Sequence, residues 1–227
     1  MIKYCKKSYN EDDFDIFKNH ARIIINGASD SGKTKLCIQL IKKYEYKFNK
    51  IIIADSPNSI EFEEDLPNLK NKLEIYNYIP SITELNTNFT DRILIILDDN
   101  YMKALSSEIV LKYYISGRHN GITPIIICQN LFFSKSKYSR DISLNVTHFI
   151  LLKLRDLNQI EYLSRQIFGK NGVKRVLEVY KFIQKNYNYG HLLIDISQSS
   201  NTDIELRSNI INSGNIPYET CFKLSSD

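Results

Sequence analysis

A glycine-rich loop between an apolar strand and an amphipathic helix constrains the fold of this 227-residue chain more than any other feature. Residues 22–26 read Arg-Ile-Ile-Ile-Asn, residues 27–34 read Gly-Ala-Ser-Asp-Ser-Gly-Lys-Thr, and a helical pattern follows over residues 32–46. This is the spacing G-x-x-x-x-G-K-[ST] in the strand, loop and helix context that it requires. Its two glycines let the backbone curl, so that successive N–H groups and the helix N-terminus face a phosphate. The motif therefore predicts an α/β domain with a phosphate-binding loop.

The same loop supplies the residues expected to bind a nucleoside triphosphate. Lys33 can reach the β- and γ-phosphates, and the Thr34 hydroxyl can bind Mg²⁺. The alternative is a glycine-rich turn that binds nothing. The residues expected to contact the nucleotide are Gly27, Ala28, Ser29, Asp30, Ser31, Gly32, Lys33 and Thr34.

Short runs rich in β-branched residues recur along the chain and predict the strands of the sheet. They are apolar on both faces, which is typical of buried parallel strands. Helical spacing lies between them over residues 104–115 and, as two successive patterns, over 156–187. This alternation indicates an α/β fold: a parallel sheet flanked by helices, with a small helical elaboration towards the C-terminus. The predicted strands are residues 22–26, 51–55, 93–98, 124–129, 149–153 and 192–195.

The chain is expected to form one domain, since no linker rich in Pro, Gly or Ser interrupts it. Residues 1–20 are assigned to an N-terminal arm, 21–196 to the α/β domain, and 197–227 to a tail that is irregular or binds a partner. The apolar run 93–97 is far shorter than the roughly 18 residues of a membrane-spanning helix, and no secretory signal is recognisable, so an intracellular protein is expected. The cysteines lack metal-site spacing and are expected to be reduced: Cys5, Cys37, Cys128 and Cys221.

Two adjacent carboxylates, Asp98 and Asp99, follow the apolar run 93–97. The carboxyl end of a buried parallel strand lies at the edge where α/β sheets bind ligands. In phosphate-loop enzymes the acid ending this strand holds Mg²⁺, so Asp98 is the predicted metal-side residue. Asp99 is then expected to orient or deprotonate the attacking water. The alternative is that Asp98, Asp99 and Asn100 only cap the next helix.

Two further polar residues are candidates for catalysis. Arg118, in the segment Gly-Arg-His-Asn, is a candidate arginine finger that acts on the nucleotide of its own chain or of a neighbour. Gln129 ends an otherwise apolar strand, where a buried amide would need a partner such as the γ-phosphate or the lytic water. Each residue taken alone is also compatible with a structural role.

The charge distribution offers two candidate surfaces for a polyanion. Residues 55–108 hold 11 acids and 4 bases, whereas residues 153–185 hold 8 bases and 3 acids. Residues 132–140, directly after the Gln129 strand, combine aromatic and basic side chains without an acid, and such a loop can hold a sugar-phosphate backbone without reading its sequence. The alternatives are a solvated helix face and an exposed loop whose aromatic residues pack on the domain. The candidate DNA contacts of the loop are Lys135, Lys137 and Arg140.

With these motifs the sequence resembles the genome-packaging ATPases of poxviruses and other nucleocytoplasmic large DNA viruses and virophages, within the FtsK-HerA superfamily of P-loop NTPases. The similarity spans roughly residues 20–170 and includes the phosphate loop, the Asp98-Asp99 strand end, residues 117–120 and residues 128–130. Residues 145–149, Asn-Val-Thr-His-Phe, match the family's Asn-x-Thr-His-Phe segment. One departure is Asp99, where Glu is usual in the wider superfamily.

The resemblance implies a multimeric, ATP-driven motor that moves double-stranded DNA into a capsid. It implies a RecA/FtsK-HerA-like fold, with ATP and Mg²⁺ as cofactors. The expected partners are double-stranded DNA, a capsid protein and further copies of the chain in a homo-oligomeric ring, a pentamer or hexamer. The expected location is the virion and the viral factory in the host-cell cytoplasm.

Other classes of phosphate-loop protein require sequence motifs of their own. A GTPase needs Asn-Lys-x-Asp to bind guanine, and neither Asn-Lys pair, at residues 49–50 and 71–72, has the Asp. A nucleoside kinase needs an Arg-rich lid, for which the sequence offers no clear candidate. A viral replicative helicase, or another ring ATPase, remains an alternative enzyme. A scaffold that binds ATP without hydrolysing it is the alternative of another class.

Overall fold

A computed structural model describes residues 3–4, 15–18, 20–85, 91–131, 136–197, 205–211 and 220–223. In these ranges strands and helices alternate along most of the chain. The helices are α1 (Lys33–Tyr44), α2 (Ser59–Asp65), α3 (Tyr101–Leu105), α4 (Glu108–Ser116), α5 (Ser139–Asn145) and α6 (Asn158–Asn186). The strands are β1 (Lys3–Tyr4), β2 (Ile23–Asn26), β3 (Lys50–Ala54), β4 (Leu73–Tyr76), β5 (Ile93–Leu97), β6 (Ile122–Cys128), β7 (His148–Leu151), β8 (Leu192–Asp195), β9 (Leu206–Ser208) and β10 (Thr220–Lys223).

One sheet contains all ten of these strands, in the order β1-β10-β9-β8-β7-β2-β6-β5-β3-β4. The strands from β7 to β4 in this order are parallel. Their carboxyl ends form one edge of the sheet, the carboxyl edge, and their amino ends form the amino edge. Because only β6 separates β2 from β5, the loop after β2 and the acids after β5 lie close together at the carboxyl edge.

Apolar side chains on both faces of the sheet explain why the strand runs are continuously hydrophobic. In β2, Ile24 packs in the core on one face, while Ile23 and Ile25 pack in the core on the other. Helices α3, α4, α5 and α6 cover the first face, and α1 and α2 cover the second. Cys37, Cys128 and Cys221 are buried, and burial raises the pKa of the Cys128 thiol to about 12.

The two helical patterns predicted over residues 156–187 are confirmed as two halves of α6. Gly169 divides them with non-helical dihedral angles, φ 70° and ψ −171°. A positive φ of this size is open to glycine at little cost, so the break occurs where the sequence permits it. No helix in the described part of the chain is long and apolar enough to span a membrane.

The sequence analysis predicted the direction of β8 wrongly and missed the edge strand β4. Strand β8 has the predicted bounds but runs antiparallel to β7, with Phe149 opposite Ile194. It is buried on both faces, so its composition does not distinguish it from a parallel strand. Strand β4 lies at the edge of the sheet and is only half-buried, which weakens the hydrophobic pattern that marks the others.

The prediction of an irregular tail from Ser197 is wrong for the part of it that the structure describes. Strands β9 and β10 extend the sheet antiparallel beyond β8. Arg207 of β9 is fully buried and donates to Asp195 Oδ2 of β8 at 3.0 Å. Burial would raise the pKa of Asp195, but hydrogen bonds from His148 and Ser197 and the charge of Arg207 lower it to about 2. At the other end, Ile16 and Phe17 of the predicted N-terminal arm lie in the core.

The stability of the protein is expected to fall in mild acid because of His191. Its Nε2 accepts a hydrogen bond from the Ile210 amide at 3.2 Å, and burial lowers its pKa to about 4. The unfolded chain binds this proton from about pH 6.5 downwards and the folded chain only near pH 4. The contribution of His191 to the free energy of unfolding is therefore constant above pH 6.5. Between pH 6.5 and 4 this contribution declines by about 3 kcal/mol.

Urea unfolding at pH 7.5, 6.5, 5.5 and 4.5 measures this dependence. The His191→Gln variant should have a flatter profile, although it is less stable at neutral pH. The pKa of His20 is also lowered, by burial and nearby arginines, so His20 adds to the pH dependence of both proteins. The difference between the wild-type and His191→Gln profiles therefore gives the contribution of His191. Profiles of equal slope would contradict the prediction.

Candidate functional site

The phosphate loop, residues 27–34, is anchored to both strands that flank β2. The Gly27 amide donates to the Cys128 carbonyl of β6 at 3.2 Å. The Ala28 amide donates to the Lys153 carbonyl, just beyond β7, at 2.7 Å. These bonds fix the start of the loop at the carboxyl edge of the sheet.

Both glycines of the motif are required by the local geometry. A Cβ atom at position 27 would lie 2.5 Å from Ser31 Oγ and 2.9 Å from Leu152 Cβ, so a larger residue does not fit. Gly32 has φ +88° at the N-terminus of α1, a conformation that favours glycine. Between the glycines, Ser29 and Asp30 are exposed, whereas Ser31 Oγ is buried and has no hydrogen-bond partner in the described structure.

The side chains that end the motif reach back into the site. Lys33 is buried and its Nζ donates to the Ala28 carbonyl at 2.8 Å, so its charge lies over the loop. The Thr34 hydroxyl donates to Asp98 Oδ2 at 2.9 Å. The structure thus brings together the phosphate loop and the acidic strand end that the sequence predicted as one site.

Asp98 is fully buried at the end of β5. Burial raises the pKa of this carboxyl, against the opposing effect of hydrogen bonds from Asn58 and Thr34. Its Oδ1 atom has no hydrogen-bond partner among the described residues. Carboxylate and hydroxyl oxygens are the ligands that Mg²⁺ prefers, so Asp98 and Thr34 fit this cation, and its charge would favour the ionised carboxyl.

Asp99 points away from the core and is exposed. Its φ of +59° lies in the left-handed region, which turns the chain sharply after β5. The alternative that Asp98, Asp99 and Asn100 only cap α3 is not supported, because their side chains make other hydrogen bonds. Asp98 and Asp99 bond to Asn58, and Asn100 makes no side-chain cap but donates to Asp55 Oδ2 at 3.1 Å.

Asn58 is a site residue that the sequence reasoning missed. Its amide donates to Asp98 Oδ2 at 3.2 Å and to Asp99 Oδ2 at 2.8 Å, and so holds both carboxylates. It follows β3, which is adjacent to β5 in the sheet. The signal that could have identified it is the polar segment 55–58 directly after a buried apolar run.

Gln129 lies at the carboxyl edge directly after β6, between the phosphate loop and Asp98 in the sheet order. The strand ends one residue earlier than predicted, and Gln129 is exposed. The argument that a buried amide needs a partner therefore does not apply to it. Gln129 lies beside the site as predicted, but among the described residues no hydrogen bond of its side chain assigns it a role.

Arg118 lies at the opposite edge of the sheet from the phosphate loop. It is exposed in a 3-10 turn, Gly117–Asn120, that precedes β6, and its Nε donates to His119 Nε2 at 3.3 Å. Since β6 is seven residues long, the two edges are roughly 20 Å apart. This distance separates Arg118 from the phosphate loop of its own chain.

A second missed residue, Gln159 at the start of α6, connects the phosphate-loop strand to the segment after β6. Its Oε1 accepts from Asn26 Nδ2 at 3.1 Å and from the Leu131 amide at 3.1 Å. Asn26 is the last residue of β2 and is fully buried. Gln159 therefore links the end of β2 to the residue Leu131, two positions beyond Gln129.

The candidate DNA contacts are only partly described. Lys137 and Arg140 are exposed, and the amide of the intervening Tyr138 donates to the Leu105 carbonyl at 3.1 Å, which ties this segment to the end of α3. Lys135 lies outside the described residues. On α6, Lys170 and Lys174 are exposed as well, so each of the two predicted basic segments presents cations to solvent, and which of them binds DNA stays a prediction.

Solved structures with a similar fold include viral NTPases. The genome packaging NTPase B204 from Sulfolobus turreted icosahedral virus 2, in complex with AMP, is 17% identical, and the match covers 80% of this chain and 94% of that chain with a TM-score of 0.55. Its complex with AMPPCP is 16% identical over 81% and 95% of the chains, with a TM-score of 0.55. B204 from Sulfolobus Turreted Icosahedral Virus, described as a DNA-packaging ATPase, is 15% identical over 78% and 93%, with a TM-score of 0.51.

These matches show a shared fold, that of P-loop NTPases, in agreement with the predicted fold class. No curated protein sequence is significantly similar to the chain. The family described as Poxvirus A32 protein matches residues 6–215, a range that includes the phosphate loop, both acids after β5 and Arg118. The chain therefore belongs to the poxvirus A32 protein family.

Proposed function

We propose that this protein is an ATPase that drives double-stranded DNA into a viral capsid. The observation that carries the proposal is the bond between the Thr34 hydroxyl and Asp98, because it joins a phosphate loop to a buried carboxylate with one oxygen left for a cation. Membership of the poxvirus A32 family supports it. So does the likeness in fold to B204, a genome packaging NTPase solved with ATP-gammaS.

In the proposed mechanism the loop amides and the N-terminus of α1 bind the β-phosphate. Lys33 leaves the Ala28 carbonyl and binds the β- and γ-phosphates, and Thr34 and Asp98 are the residues that would hold Mg²⁺. The cation, when bound, neutralises charge on the β- and γ-phosphates. Asp99, oriented by Asn58, positions the attacking water and accepts its proton. Gln129, between the loop and Asp98 at the carboxyl edge, is available to the γ-phosphate or the water.

Steady-state ATP hydrolysis with and without double-stranded DNA tests the function. A motor should hydrolyse ATP and be stimulated by DNA. Binding of ATP without turnover would favour the scaffold alternative. Unwinding of a forked duplex would favour the helicase, whereas a packaging motor moves along the duplex without separating the strands.

The assembly and location are also part of the proposal. We expect a homo-oligomeric ring, a pentamer or hexamer, that binds a capsid protein and acts in the viral factory and the virion. The mass of the complex with nucleotide and double-stranded DNA checks the number of copies. A monomer under these conditions would contradict the ring.

The segment around Lys137 and Arg140 is expected to hold DNA during translocation. The Lys137→Ala/Arg140→Ala variant should bind DNA more weakly, and its affinity should depend less steeply on salt, by up to about two phosphate contacts. ATP affinity should be unchanged, but stimulation by DNA should be lost. Titration of a labelled duplex at several salt concentrations measures both the affinity and the slope.

The matched control is Lys170→Ala/Lys174→Ala, which removes the same charge from α6. If the two surfaces have different roles, this variant retains its salt dependence. If the α6 variant loses DNA binding and the Lys137/Arg140 variant does not, DNA is held by α6 and the prediction is wrong.

A further inference from the structure

An exposed tyrosine lies beside the phosphate loop on the turn between α6 and β8. Tyr189 is 77% exposed, and its Cδ1 atom lies 3.3 Å from the position that a Cβ atom on Gly32 would occupy. Its backbone has φ +54°, in the left-handed region. A non-glycine residue in this region is under strain. The ring therefore lies beside the loop although the backbone of Tyr189 adopts a conformation that costs free energy.

The turn that carries Tyr189 is held from several sides. Gln184 Nε2 donates to the Gly190 carbonyl at 2.8 Å, and the Gly190 amide donates to the Tyr187 carbonyl at 3.1 Å. A Cβ atom at position 190 would lie 2.8 Å from Ile183 Cγ2, so the turn packs tightly on α6. The buried ring of His191 hydrogen-bonds the backbone of Tyr189 and accepts from the Ile210 amide. The exposure of the tyrosine is thus fixed by the fold.

The sheet order determines which part of a nucleotide would meet this ring. Thr34 and Asp98 lie towards β5, on one side of β2, and define the γ-phosphate end of the site. Strand β8 lies on the other side of β2, beyond β7, and begins at the carboxyl edge because it runs antiparallel to β7. Tyr189 immediately precedes β8. A triphosphate that ends at Asp98 therefore directs its nucleoside towards Tyr189.

We infer that the ring of Tyr189 stacks on the base of the bound nucleotide. This inference rests on the proposed function, since it assigns the base subsite of the same ATP site. Stacking on an aromatic ring is possible for every base, so Tyr189 contributes affinity without selecting adenine. The contact uses the face of the ring, and the hydroxyl is not required.

Binding of ATP and of inorganic tripolyphosphate, each with Mg²⁺, separates the base contact from the phosphate contacts. In Tyr189→Ala, the ATP dissociation constant should rise about tenfold or more, and that of tripolyphosphate should be unchanged. Tyr189→Phe should bind ATP like the wild type. The control is Tyr46→Ala, which removes a tyrosine of similar exposure, 72%, beyond the far end of α1.

The outcomes distinguish this inference from the proposed function. Equal losses of ATP and tripolyphosphate affinity in Tyr189→Ala would mean that the residue supports the loop, and would overturn the inference. Unchanged ATP affinity would place the base elsewhere and also overturn it, while the nucleotide site stands. A wild-type protein that binds neither ligand would overturn the proposed function itself.

Discussion

Lys33→Ala and Asp98→Ala are each expected to abolish ATP hydrolysis. Lys33 is the one basic residue of the phosphate loop and its charge lies over that loop, and Asp98 is the buried carboxylate that fits Mg²⁺. Most of the stabilisation in phosphoryl transfer comes from charges fixed at the transferred group. Removal of one such group should lower turnover by at least about 10²- to 10³-fold. Release of inorganic phosphate at saturating Mg-ATP measures the effect.

Two other variants show whether this loss is specific. Lys42→Ala removes an exposed lysine from the same helix, α1, and should hydrolyse ATP at the wild-type rate. Asp99→Asn should bind Mg-ATP with unchanged affinity and lose turnover, since only its proton-accepting charge is removed. Normal hydrolysis by Asp98→Ala would refute the metal site, and normal hydrolysis by Asp99→Asn would refute the base.

Local patterns in the sequence were sufficient for the centre of the fold and for the phosphate loop. Strands β2, β3, β5, β6 and β7 were predicted because continuous apolar runs mark strands buried on both faces. Strands β9 and β10 were not predicted, because burial of a charged residue such as Arg207 depends on Asp195, which lies in another strand. That ion pair forms only when the sheet is assembled, so no local pattern indicates it.

The difference between local sequence patterns and contacts between distant elements also explains which site residues were found. Residues 27–34 were identified because their geometry depends on eight consecutive positions. Asn58 lies 40 residues from Asp98 in sequence, and Gln159 lies 133 residues from Asn26. Their roles depend on which strands and helices are neighbours. The sequence reasoning assigned the order of the elements along the chain but not their order in the sheet.

The amino edge of the sheet carries a cluster of cations that the sequence did not indicate. Arg22 precedes β2, Arg92 precedes β5, and Arg118 precedes β6. Burial and then the charge of Arg118 lower the pKa of Arg22, and burial and then the charges of Arg92, Arg118 and Arg22 lower the pKa of His20. The carboxyl edge carries the candidate nucleotide site. In a ring, the cationic edge of one copy is therefore electrostatically suited to the nucleotide of its neighbour.

Arg118 is accordingly expected to act on the nucleotide of an adjacent copy. The roughly 20 Å between the two edges of the sheet exceed the reach of one side chain, so action within the same chain is unfavourable. Because an arginine finger contributes about 10³ to 10⁵ in rate, Arg118→Ala should lose nearly all hydrolysis while ATP affinity is retained. Specific activity of the wild type should rise with protein concentration as copies assemble. The matched control is Lys112→Ala, which removes an exposed cation on α4 that pairs with Glu108.

Mixtures of two inactive variants test the direction of this contact. In a ring that contains both Arg118→Ala and Lys33→Ala copies, some intact nucleotide sites face an intact Arg118 of the neighbour. Part of the wild-type rate should therefore return on mixing, with a maximum near equal proportions. If the copies exchange and no activity returns, Arg118 does not act between chains, and the cationic cluster at the amino edge has another role.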